Sequence, residues 1–200
     1  KYKTKKDIFF IYSQMMALSV FSGEIDLGSK IYIDYQKEFK KKKRTNQKQA
    51  ELFMYKVILS DKPHAEILNK KEIKIVLADG MISEALRRHN IAIFLKRKKF
   101  GKVYDLYEKK RVKTAQIHEK IIYDLAGILS KKANNKLLCE QQYKEFPMAR
   151  KSSYSMTICG MLLDVKNGKR PKKKDLKRLE LILKKYPSKR YLTSVAKNLY

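Results

Sequence analysis

The sequence predicts an all-α chain of about ten helices, on three observations. Apolar residues recur at three- and four-residue intervals along most of the chain, the four prolines fall at the edges of those stretches, and period-two alternation is confined to 31–33 and 73–75. Ile8, Ile11, Tyr12 and Met15 define the first stripe. After a turn at Gly23, the residues Gly28, Ile31, Tyr32, Tyr35 and Phe39 define the second, with Gly28 marking a close helix contact. These two form a helical hairpin. Comparable stripes follow over 47–60, 65–77, 103–110, 117–130, 137–146, 152–165, 175–186 and 190–200. Ser60-Asp61 ahead of Pro63 predicts a cap and first turn, Gly80 and Gly168 predict C-terminal stops, and Ser188 predicts the cap of the last helix.

Two hundred residues, 44% of them hydrophobic and 34% charged, suffice for a sizeable core. Lys and Arg outnumber Asp and Glu by 48 to 20, a net charge of +28. An excess of that size repels itself unless a polyanion neutralises it. No apolar run approaches the roughly 20 residues of a membrane span; 8–21 comes nearest and is broken by Ser13 and Gln14. The basic residues are spread along the chain rather than gathered on one amphipathic helix, which favours nucleic acid over a lipid surface. Cys139 and Cys159 form no CxxC pair, so neither a disulfide framework nor a zinc site is expected, and both read as reduced cysteines packed in helices.

The chemistry of an enzyme is not evident. His64, His89 and His118 have no Ser, Cys or carboxylate at a spacing that suggests a triad or a metal. The seven glycines form no P-loop or dinucleotide pattern. No catalytic residue, metal or cofactor is therefore expected.

A repeat underlies the helices. Anchors at Tyr12, Lys48, near Glu84, His118, Tyr154 and Tyr191 are separated by 36, 36, 34, 36 and 37 residues. The aromatic pairs of YIDY (32–35) and YDLY (104–107) lie 72 apart, twice that period. Approximate units are 9–44, 45–80, 81–114, 115–150, 151–187 and a terminal helix at 188–200. A first residue of Lys and a half-unit at the end predict a fragment of a longer array.

The segment YSQMMALSVFSGEIDLGSKIYIDY (12–35) resembles one pentatricopeptide repeat, and SYSMTICGMLLDVKNGK (153–169) is similar to the first helix and turn of another. The likeness is strong in these segments, intermediate over 115–146 and weak over 47–100, where Arg87 and Arg88 stand at places expected to be apolar. It implies a right-handed α-solenoid, because a single amphipathic helix pair buries its apolar face only when neighbours stack on it. It also implies single-stranded RNA on the surface lined by the first helices, about one base per repeat. The residue after each anchor would face a base: Ser13, Gln49, Glu119 and Ser155 can hydrogen-bond base edges, whereas Ala85 and Leu192 cannot. Ser13 and Ser155 read equally as small polar residues of a first helical turn.

Phosphate candidates are Lys40, Lys41, Lys42, Lys43 and Arg44, then Arg87 and Arg88, Lys96, Arg97 and Lys98, Arg150 and Lys151, and finally Lys169, Lys172, Lys173 and Lys174. Their binding would be salt-sensitive and independent of base sequence. Tyr32, Tyr35, Tyr104 and Tyr107 fall at packing positions and are expected in the core. The expected function is an RNA-binding component of a mitochondrial ribonucleoprotein or ribosome, contacting RNA and protein neighbours. Alternatives are a sequence-specific single-stranded RNA factor and a protein-binding repeat scaffold; a plastid or another organelle is the alternative location.

Overall fold

The computed structural model describes residues 5–22, 24–39, 45–107, 115–132, 136–148, 153–185, 196 and 199. Eleven α-helices run through them: α1 (Lys5–Ser22), α2 (Ile25–Phe39), α3 (Asn46–Ile58), α4 (His64–Ile67), α5 (Lys70–Leu77), α6 (Gly80–Lys96), α7 (Phe100–Asp105), α8 (Ile117–Leu129), α9 (Glu140–Glu145), α10 (Tyr154–Lys166) and α11 (Lys173–Lys185). No strand occurs among the described residues. The starts of α3, α6, α8 and α10 are 34, 37 and 37 residues apart. The chain forms two units, residues 1–93 and 94–200. Positions 23, 40–44, 150–151 and 188, on which several sequence expectations fall, lie outside the described residues.

In the first unit α1 and α2 form the expected hairpin, around a core of Met16, Ile31, Tyr35, Leu52, Tyr55 and Leu59. The rings of Phe9 and Tyr12 meet Tyr35 edge-on, with centroids 5.6 and 5.4 Å away. The inward face differs from the expected stripe: Met16 is 1% exposed, whereas Met15 is 45% exposed. Almost every position between 8 and 21 is apolar, so periodicity alone does not fix which face turns inward.

Gly28 is buried where α2 crosses α1. A Cβ there would lie 2.7 Å from Leu59 Cδ2 and collide with the Ser19 hydroxyl. Gly28→Ala is therefore expected to lower the unfolding free energy by about 1–3 kcal/mol through overpacking, despite the better helix propensity of alanine. Urea denaturation checks this, and unchanged or increased stability would mean that the helices do not meet at Gly28.

Capping accounts for three departures from the expected boundaries. The stretch 65–77 is two helices because Asn69 interrupts it: its side chain accepts from the backbone of Lys71 and Glu72 while Glu72 accepts from Asn69 N–H. Ser60-Asp61 does not cap α4; the Ser60 hydroxyl donates to Val57 and the helix starts after Pro63. Gly80 begins α6 rather than stopping α5, since Asp79 Oδ1 accepts from the N–H groups of Met81 and Ile82. Gly168 is the expected stop. Its φ is +71°, with Gly168 N–H donating to Val165 and Lys169 N–H to Asp164, the two bonds of a Schellman motif.

In the second unit α8 and α10 supply the most continuous burial, with residues 121–127 and Met156–Cys159 turned inward. Tyr104 of α7 stacks on Tyr123 at 4.6 Å and accepts its hydroxyl proton at 2.8 Å, while Tyr107 meets the same ring edge-on. Tyr35 and Tyr107 are buried and Tyr32 and Tyr104 half-buried, in accord with their expected packing places.

The cysteines are not reduced, as the sequence reading expects, but bonded Sγ to Sγ at 2.06 Å. Cys139 just before α9 and Cys159 within α10 are both fully buried, with Cα atoms 6.1 Å apart, inside the range a bridge spans. Asp124 holds the Cys139 end: its carboxylate accepts from the N–H groups of Leu138 at 3.1 Å and Cys139 at 2.9 Å.

Asp124 is only 3% exposed, and burial outweighs those two bonds to push its carboxyl up to about 6. The native chain thus keeps this proton to higher pH than the unfolded chain. Its stabilising contribution is complete below the ordinary value of 3.8 and is lost as pH rises through about 6. Thermal melts across that window should show a decline in the native chain that Asp124→Asn removes; parallel profiles would contradict the assignment.

Candidate nucleic-acid interface

A cleft of about 460 Å³ opens in the first unit between α1, α3 and the start of α6. Each wall is fixed locally. The α3 helix starts at Thr45, whose hydroxyl accepts from Lys48 N–H, and is tied to α1 by Tyr55, whose hydroxyl donates to the Ser13 carbonyl at 3.2 Å. Asp79 caps the third wall.

Phe9, Phe10, Met54 and Met81 give the cleft apolar sides, with Phe10 62% and Met81 80% exposed. Ser13, Gln14 and Glu51 add polar groups. The Ser13 hydroxyl lies 3.4 Å from that of Tyr55. Glu51 is half-buried, and burial, reinforced by Asp79 and opposed by Lys48, raises its carboxyl above the usual range. The Lys48 ammonium sits 4.7 Å from the Phe9 ring centre.

Of the expected base-facing residues, Ser13 lines this cleft together with Ala85. Gln49 is half-buried on α3, outside the cleft lining, and Glu51 two residues on takes the place expected of it. In the second unit Glu119 and Ser155 are half-buried in the first turns of α8 and α10, helices that pack together.

The phosphate candidates separate into committed and exposed groups. Arg87 makes two bonds to Glu84, at 2.9 and 2.8 Å, and Arg88 a third at 2.9 Å, so both are tied to a carboxylate on their own helix. Lys96, Arg97 and Lys98 are exposed in the turn that ends α6, with Lys98 at a φ of 53°. Lys169, Lys172, Lys173 and Lys174 are exposed around the start of α11, where Lys172 and Lys174 border a second cleft of about 240 Å³ with Thr157, Asp164 and Arg178. Lys40, Lys41, Lys42, Lys43, Arg44, Arg150 and Lys151 lie outside the described residues.

His64 Nδ1 and His89 Nε2 are engaged by Asn90 and the Lys62 carbonyl, and burial pushes His89 down from its ordinary range. Among the described residues no three His, Cys, Asp or Glu side chains are grouped to hold a metal, and no helix is long and apolar enough to cross a membrane. Comparison of the chain with known families, curated proteins and solved structures returns no match.

Proposed function

We propose that this chain is a helical-repeat RNA-binding protein of pentatricopeptide type, acting as a component of an organellar ribonucleoprotein, with a mitochondrial ribosome as the leading setting. The observation that carries the proposal is the net charge of +28, together with the exposed basic residues at 96–99, 169–170 and 172–174. Two features support the repeat part. The starts of α3, α6, α8 and α10 are 34 to 37 residues apart, with α1 starting 41 before α3, and α1, α3 and α6 line one cleft. Stacking of such units into a right-handed solenoid is part of the same reading.

Selection from a randomised single-stranded RNA pool at low and moderate salt tests it. Capture of RNA without an enriched motif supports the scaffold, a motif that survives added salt supports a sequence-specific factor, and no capture at low salt rejects both. Recovery of an acidic protein from nuclease-treated extract would favour the protein-binding scaffold instead.

The Cys139–Cys159 bond favours a second reading of location. Disulfides persist where thiols are oxidised and are rare in reducing compartments. On that reading the protein meets its polyanion in an oxidising space, and alkylation of thiols in freshly lysed source cells decides between the two.

A further inference from the structure

The cleft between α1, α3 and α6 differs from the basic turns in chemistry. Phosphate is the wrong occupant, because Glu51 lines it and would repel a second anion. Among the described residues the Glu51 carboxylate has no hydrogen-bond or ion-pair partner, although burial has stripped part of its water. A half-desolvated acceptor beside exposed Phe10 and half-buried Phe9 calls for a flat, apolar-faced ligand with N–H donors on its edge. An unstacked nucleobase has that form.

The bases differ in what they offer. Guanine presents two adjacent donors, N1–H and N2–H, which match the two oxygens of a carboxylate. Adenine and cytosine present one amino group each, and uracil flanks its single N–H with two carbonyls that a carboxylate repels. We propose that this cleft holds one guanine of a single-stranded RNA, stacked on Phe10 and bonded through its N1–H and N2–H to Glu51, with Lys48 at the rim facing the adjoining phosphate. The site rests on the RNA-binding reading and adds to it a base preference located at a residue outside the expected base-facing set.

The test is fluorescence anisotropy of the full chain with short labelled oligouridines carrying G, A, C or U at the centre. The expected result is tightest binding to the G-centred strand, by on the order of tenfold over all-U. Glu51→Gln, nearly isosteric and half-exposed, should bring G and U together while binding to all-U stays within about twofold. Phe10→Leu, at an exposed position, should weaken all four strands severalfold through lost stacking. Equal binding of the four strands by the native chain, or a G preference that survives Glu51→Gln, overturns this site and leaves the RNA-binding reading standing. No binding to any strand overturns both.

Discussion

Reducing the Cys139–Cys159 bond should lower the unfolding free energy of the second unit by about 2–5 kcal/mol. The bond joins residues 20 apart, so breaking it returns to the unfolded chain the freedom of a loop of that length. Both sulfurs are fully buried, and a Cys159→Ser variant would add an uncompensated hydroxyl between α9 and α10. The loss should also reach Asp124, whose carboxylate is held by the backbone that carries Cys139. Thermal melts of the full chain with and without a phosphine reductant measure the effect. Free thiols titrating in the folded chain, or a melting curve indifferent to reductant, would contradict it.

The same bond shows where sequence reasoning stops. Two cysteines placed on two successive helical stretches have no spacing pattern that distinguishes a bridge from two buried thiols; only the approach of the α9 start to α10 decides it. Over the described residues helix type was readable except at α6 (Gly80–Lys96), for which no stripe was read; elsewhere intervals of three and four dominate and Pro63, Pro147 and Pro171 lie at or just beyond helix ends. The packing of Tyr35 and Tyr107 and the close approach at Gly28 were readable too, since an aromatic or a glycine on an otherwise apolar stripe has few other uses.

Which face of α1 turns inward was not readable, because its apolar residues run nearly all the way round and the choice of Met16 over Met15 is made by α2 and α3. The break at Asn69 lay hidden inside a stretch whose apolar period is unbroken; its signal was the Asn-x-x-Glu capping box at 69–72. Glu51 escaped notice as a site residue for a different reason. The cleft gathers residues from 9 to 85, and a single acidic residue on α3 reads as a solvated face until α1 and α6 close over it. The one hint was Lys48 three residues earlier, placed to flank the same face.

Raising monovalent salt from about 50 to about 200 mM should weaken binding to single-stranded RNA by on the order of 10²–10³, if about six phosphates are neutralised and each contributes a slope near 0.7. The exposed basic residues at 96–99, 169–170 and 172–174, nine in all, carry more than enough charge for that number. Each substitution of one of these lysines by glutamine should reduce the slope by about 0.7 and weaken all sequences alike. The most direct test of the account is therefore the salt titration itself, by anisotropy on a labelled oligouridine. A steep linear fall of log affinity with log salt is the predicted result. No binding at low salt, or an affinity that salt leaves unchanged, would contradict the assignment of this chain to RNA.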